Sequence, residues 1–292
     1  DDATLEAIGP APVVSRALVV AARIFTGALH EMGMEFSPTK NVCVASTPAL
    51  ADSIVGSLPG LALKTARAAK ALGGAISGGK VRNTAVLRKR LEAFRVRKTC
   101  FRKLRRAVGA RRCHAVLRSG GTSALMYGIA NTGVATSTLA MQRSAVALAS
   151  VSSGSSDVDL ALVIADGSLK GKADPAFQAH ISPIGKWAEA VWESWLSRPA
   201  LEKLATAARV KVGKPNFRWT SVRGPAAAFV ASAVRLGWDV LDAYNVVTDW
   251  GASIDFRVDP PAYAVQLVTE SVWRWRWRLV EAKLPHLTQG SG

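Results

Sequence analysis

Acidic residues are scarce in this sequence. Only 21 Asp and Glu stand against 38 Lys and Arg in 292 residues, a formal charge of +17. An excess of that size repels itself unless a polyanion meets it, so nucleic acid is the leading partner. An acidic membrane surface would ask instead for a basic amphipathic anchor with bulky apolar residues. Cysteine is nearly missing too. Cys43, Cys100 and Cys113 make no paired set, which excludes a disulfide scaffold and fits a reducing compartment, nucleus or cytoplasm. Cys113-His114 has no second ligand pair at zinc spacing. No run of about 18 uncharged apolar residues is present, since Arg16, Arg23 and His30 interrupt the best stretch, so no membrane span is expected. The opening residues also lack the basic, apolar, small-residue order of a signal peptide.

What is present suits a folded chain. Hydrophobic residues make 49% and charged residues 20%, which excludes disorder, and the length allows one large or two modest domains. The sequence opens on Asp1-Asp2 and a polar turn. A helix is predicted from about Val13 to Met32, with Val14, Leu18, Ala21, Ala22, Phe25 and Leu29 at helical period and Gly33 as its stop. Pro38 fixes its own φ and pushes Ser37 towards an extended conformation, so Ser37-Pro38-Thr39 turns the chain into Lys40 and a β-rich Val42-Cys43-Val44. A second helix begins near Pro48, breaks at Leu58-Pro59-Gly60, and leads to a strand-like Leu61-Ala62-Leu63. Leu72, Gly73, Gly74, Ala75 and Ile76 suit a hairpin whose small residues let another backbone approach.

Residues 80 to 118 are the electrostatic centre. Lys80, Arg82, Arg88, Lys89, Arg90, Arg95, Arg97, Lys98, Arg102, Lys103, Arg105, Arg106, Arg111, Arg112 and Arg118 share that span with one acid, Glu92. Val86, Leu87, Leu91, Phe94, Phe101, Leu104 and Val108 recur among them at helical spacing, which predicts amphipathic helices with one face packed and the other cationic. A solvated face normally mixes signs, so a one-sided run favours phosphate contact. Residues 119 to 150 are small and apolar, with Leu125, Met126, Ile129, Leu139, Met141, Val146 and Leu148 as core candidates. A polar joint follows at Ser150 to Asp157.

Beyond the joint, Leu160 to Ile164 reads as strand or buried helix, and Trp187, Val191, Trp192 and Trp195 recur at helical spacing, with Trp187 and Trp192 taken as core anchors. Val246 to Gly251, together with Asp255, Asp259 and Glu270, resembles the opening of an RNase H strand with its acids. Too little chain follows for that fold, and a β-hairpin turning at Asp249-Trp250-Gly251 is expected. In Trp273-Arg274-Trp275-Arg276-Trp277-Arg278, a helix puts Trp273 and Trp277 on one side. Such a helix either docks on its domain or stacks on bases.

Taken in order, the acidic pair, the helix, Gly33-x-x-Phe36-Ser37-x-x-Lys40, the strand and Leu72-Gly73-Gly74-x-Ile76 resemble the downstream half of a reverse transcriptase palm, especially that of non-LTR retroelements. The resemblance covers residues 1 to about 120, and the remainder is vaguely similar to the tail after the thumb in retroelement polyproteins of protists. It implies an α+β, mostly helical fold in three parts. These are a partial polymerase palm over residues 1–79 (short antiparallel strands plus helix), a basic helical thumb over 80–150, and a Trp-rich post-thumb or connection domain over 151–292. It implies that Asp1 and Asp2 bind two Mg²⁺ ions, which activate a primer 3′-hydroxyl and stabilise charge at the phosphoryl centre. Lys40 would assist the departing pyrophosphate or is a plain surface lysine. Leu72, Gly73 and Gly74 would grip the primer. The implied partners are an RNA template, an RNA–DNA or DNA duplex, dNTP, and an upstream palm and fingers with a further Asp. Without those the chain is expected not to polymerise. The alternative is a non-catalytic basic nucleic-acid-binding protein.

Overall fold

The computed structural model describes residues 3–37, 39–71, 74–78, 82–150, 157–168 and 172–285. Contacts divide the chain into two compact units, Asp1–Val86 and Leu87–Gly292. The fold is α+β and mostly helical, as the sequence implies.

The first unit opens with helix α1 (Ala11–Glu31), whose Pro12 sits in the first turn, where a missing N–H costs no hydrogen bond. Gly33 ends it at φ +71°. Strand β1 (Val42–Val44) follows, then α2 (Pro48–Gly56), capped by the Thr47 hydroxyl, which accepts from the Leu50 N–H at 3.3 Å. A 3-10 turn at Pro59–Leu61 occupies part of the stretch expected to be strand-like, and β2 starts only at Lys64 (Lys64–Ala66). The Pro59-Gly60 bend is finished by Ala62 in a left-handed conformation, which delays the extended segment. β1 pairs parallel with β2, a correction to the expected antiparallel strands that follows from the α2 crossover between them, while β3 (Ala68–Ala71) and β4 (Gly74–Ser77) form an antiparallel hairpin. A small core of Ala22, Ile54 and Leu58 holds α1 to α2, and Arg23 donates to the Ser57 carbonyl at 3.1 Å.

By length and composition alone α1 is long and apolar enough to cross a membrane, a test that core helices of soluble proteins and signal sequences also pass. Its two arginines are spaced widely enough to leave the average hydropathy high. Val14 and Ala22 are nevertheless buried, and Val13, Val20 and Ile24 are exposed.

The second unit holds α3 (Ala85–Val108, from Leu87), α4 (Ala110–Val116), a wide π turn at Leu117–Thr122, α5 (Ser123–Met126) and α6 (Thr136–Ser150). Then come α7 (Val158–Ser168), α8 (Pro175–Trp192), α9 (Arg198–Val212) and α10 (Gly224–Leu236). The antiparallel meander β5 (Asp239–Val240), β6 (Asn245–Val247), β7 (Ser253–Asp255) precedes the long α11 (Pro261–Lys283). Leu160 to Ile164 is thus helical, and the tail hairpin turns where Asp249-Trp250-Gly251 predicts.

One core cluster joins Leu87, Leu91 and Phe94 to Leu139, Val146, Leu162 and Ala179, so side chains before and after the polar joint share a common interior. A larger cluster centres on Trp187, which stacks on Phe229 with ring centroids 5.2 Å apart and donates its indole N–H to Ala243. Trp192 is no core anchor: it is 43% exposed against 2% for Trp187. The buried stripe of α8 runs Ile184, Trp187, Ala188, Val191, and Trp192 lies one residue, about 100°, off it. Met141 and Leu148, expected inside, are exposed for the same reason.

Candidate nucleic-acid interface

α3 forms because its apolar residues fall at three- and four-residue steps. Leu87, Leu91 and Phe94 are buried, and Phe101 stacks on Phe94 with centroids 5.5 Å apart. Gly121, in the π turn, passes directly over that pair. A Cβ there would come within 3.0 Å of Phe101 and Leu117, so the absence of a side chain lets the turn close on the aromatic stripe. Gly109, at φ +84°, ends the helix and starts α4. With its apolar edge fixed, α3 has one orientation open to it.

Residues 87 to 118 carry thirteen Lys and Arg and one acid, and this orientation decides where they point. Arg88, Lys89, Arg95, Arg97, Lys103 and Arg106 on α3, and Arg111 and Arg112 on α4, are exposed, while Lys98 is half-buried. Among the described residues Glu92 pairs only with Arg95, at 3.8 Å on the surface. The three remaining candidate residues hold other segments. Arg102 Nε donates to the Leu148 carbonyl at 3.2 Å, and Arg105 donates to Ser150 at 2.8 Å. Both therefore sit on carbonyls in the last turn of α6, which have no helical partner and carry the negative end of the dipole. Arg90 donates to the Tyr127 carbonyl and lies over that ring, 5.4 Å from its centroid.

Beneath this surface lies a network that the sequence did not reveal. Arg143, on α6, donates its Nε to both Asp174 oxygens at 3.0 Å and also pairs with Asp159. Arg276, on α11, is 0% exposed and reaches Asp166 at 3.0 Å and Asp174 at 2.9 Å. Those distances make ion pairs, although the angles at the Arg276 nitrogens fall short of hydrogen-bond geometry. Asp166 also accepts from the backbone N–H groups of Ala173 and Asp174, and His114 Nε2 lies 3.1 Å from it. Burial works against the Arg143 charge, but Asp174 and Asp159 outweigh it and hold the guanidinium pKa above its ordinary value. At Asp159 burial opposes ionisation, and Lys283 and Arg143 prevail and keep the carboxyl below the usual range. Burial lowers the Arg276 pKa, with Asp174 and Asp166 offsetting part of the effect. His180, fully buried, is held well below its usual pKa by burial and then by Arg235, whose Nε donates to its Nε2 at 2.9 Å.

One member of the network, Asp174, does have a signal in the sequence. Asp174-Pro175 before an apolar run is an N-cap signature, and Asp174 does accept from the Ala176 N–H at 2.8 Å. The tail acids are also accounted for. Asp249 accepts from Ser271 at 2.7 Å and pairs with Arg274 and Arg278, each at 3.1 Å. Asp255 pairs with Arg257.

In the first unit, Lys40 is exposed on the turn entering β1. Gly74 opens β4, opposite Ala71. β1 and this hairpin meet closely, because a Cβ on Gly78 would overlap the Ala45 carbonyl just beyond β1. Asp1, Asp2, Leu72 and Gly73 lie outside the described residues. Among the described residues no group of three His, Cys, Asp or Glu is arranged to hold a metal ion. Comparison with known proteins finds no matching family model, curated protein or solved structure.

Proposed function

We propose that the protein binds a nucleic-acid duplex through α3 and α4, as the palm-and-thumb portion of a retroelement RNA-directed DNA polymerase. One observation carries the binding claim. The apolar stripe of α3 is buried and its cationic side, almost without acids, faces outward. The exposed cations run along a helix of 24 residues, about 36 Å, which matches roughly ten base pairs of backbone. Binding of this kind reads phosphates and tolerates any sequence.

The polymerase assignment draws support from order in the first unit. An amphipathic helix, a turn bearing Lys40, a short strand and an antiparallel hairpin with Gly74 precede the basic helix in the order of the resemblance set out above, although β1 and β2 pair parallel. In the complete enzyme, Mg²⁺ held through Asp1 and Asp2 would supply charge stabilisation for phosphoryl transfer. What the described residues supply is a hold on the duplex.

Fluorescence anisotropy on an RNA–DNA hybrid tests the binding. If about six of the exposed cations meet phosphates, affinity should fall about a thousandfold between roughly 50 and 200 mM salt. A flat titration would remove the claim. The polymerase assignment is tested separately, by primer extension with this chain joined to the rest of a palm and fingers. Asp1→Ala and Asp2→Ala should abolish extension and leave hybrid binding intact. If the joined protein never extends a primer, only the non-catalytic binding protein remains.

A further inference from the structure

The second unit contains two long spans without a single Asp or Glu, residues 93–156 and 203–238. The first carries α3 beyond Glu92 and all of α4. The second carries Arg209 and Lys211 at the end of α9, Lys214 and Arg218 in the following segment, and Arg223 at the start of α10. All five are exposed and make no ion pair among the described residues. A solvated surface of this length ordinarily carries both signs.

The two spans touch. Arg90 of α3 grips the carbonyl of Tyr127 and lies over its ring. Tyr127 begins the tight segment 127–134, where the Gly133 N–H is bonded to the Ile129 carbonyl at 2.7 Å. At the far end of that segment, a Cβ on Gly133 would come within 3.0 Å of the Trp219 ring. Arg235 fastens the same junction, donating to the Val134 carbonyl at 2.7 Å with its guanidinium 4.8 Å from the Trp219 centroid. Trp219, which follows Arg218 in the chain, therefore lies against the end of the segment after α5. At the other end of the same segment, Tyr127 is 56% exposed and backed by Arg90. An exposed ring on the segment that links the two cationic spans, neither of which holds a carboxylate, has the make-up of a stacking platform for unpaired bases.

We propose that Tyr127 and the cations from Arg209 to Arg223 form a second binding surface, which takes a single-stranded nucleic-acid extension leaving the duplex held on α3. Tyr127 stacks on a base, and Lys211, Lys214, Arg218 and Arg223 meet phosphates. The inference rests on the duplex assignment to α3, and its test is built to separate the two.

Binding of the full chain is measured by anisotropy on four labelled probes: a blunt RNA–DNA hybrid of about ten base pairs, the same hybrid with an extension of about ten nucleotides, a blunt hybrid of about twice the length, and the extension strand alone. Four added single-strand phosphate contacts should steepen the logarithmic salt slope by about 3, worth about fifty-fold over a fourfold change in salt. The Lys211→Gln, Lys214→Gln, Arg218→Gln, Arg223→Gln variant should lose that gain and bind the blunt short hybrid as before. Tyr127→Ala should lose about tenfold on the extended probe alone, and Tyr127→Phe should retain it. An extension that adds nothing, or a gain that the quadruple variant keeps, overturns the proposal while leaving α3 as the duplex surface. An equal gain from the longer duplex overturns it too, because stacking then plays no part. If no hybrid binds but the single strand alone binds the wild type and not the variant, the second surface stands and the duplex assignment falls.

Discussion

Replacing Arg276 by Leu should unfold the second unit far more readily than any surface change. The guanidinium is fully buried between Asp166 and Asp174, 4.5 Å from the Trp273 centroid and 5.0 Å from that of Phe177. Its removal does not strip the two acids equally. Asp174 keeps Arg143 through three contacts of 2.9 to 3.0 Å. Asp166 keeps two backbone N–H groups and His114, and it loses its only Arg partner among the described residues. A buried carboxylate left that way costs about 3–5 kcal/mol. In a unit of this size each kcal/mol lowers Tm by about 2–4 °C, so the expected fall is about 6–20 °C. Calorimetry gives the Tm, and urea titration followed by tryptophan fluorescence gives the free energy. The double variant Arg276→Leu, Asp166→Asn should recover a large part of the loss, since the amide needs no counter-charge. A loss below about 1 kcal/mol, or costs of the two single variants that simply add, would refute the account of Arg276 as the counter-ion of Asp166.

Other perturbations have separate readouts. His180 is held neutral by burial and by Arg235, so only the unfolded chain takes up its proton; stability should be full above pH ~6.5 and decline by about 1.4 kcal/mol per pH unit below it. Urea midpoints between pH 5 and 7.5 read that slope, which His180→Gln should flatten; a wild-type midpoint that stays constant over this range refutes the assignment. Gly78→Ala forces a Cβ against the Ala45 backbone, where no side chain can yield, and should destabilise the first unit by about 2–3 kcal/mol; Gly60→Ala, which meets open space, is the control, and equal melting of the two would sink the claim. Arg102→Met with Arg105→Met removes the two donors on the end of α6 and should lower stability by about 1–3 kcal/mol, whereas Arg88→Met with Arg97→Met should leave stability within about 0.5 kcal/mol and weaken hybrid binding. Opposite results from thermal melting and anisotropy would show that the two pairs had been assigned the wrong way round.

The sequence showed most where a single periodicity decided the outcome. Leu87, Leu91 and Phe94 set the face of α3, and Asp249-Trp250-Gly251 set the tail turn. It showed less where two stripes competed. In α11, Trp273 and Trp277 stand four apart and invite reading as the packed side. The side fully buried is Val272, Arg276, Val280, at the same spacing, and it contains a charge. Nothing local marks Arg276 as interior, because its burial depends on Asp166 and Asp174, more than a hundred residues earlier in the chain. The exposed Trp192 fails in the opposite direction, as a large apolar residue one step off the stripe defined by Ile184, Trp187 and Val191. Arg102 and Arg105 look identical in sequence to their neighbours Lys103 and Arg106, and only the arrival of the α6 carboxyl end separates the two kinds.

The inward network also bears on the surface. Asp159 and Asp166 on α7 and Asp174 at the start of α8 are buried and joined to Arg143, Arg276 and Lys283. Carboxylates placed so contribute little field outside, because each is matched within a few ångströms by a cation. Had the same acids stood on the solvent side of these helices, they would have opposed the exposed cations of α3 and α4 across a Debye length of about 10 Å. The cationic character of the α3–α4 face thus also reflects the inward placement of these three acids. The pairing that fixes α11 to α7 and α8 leaves the α3–α4 face with a single opposing charge, Glu92.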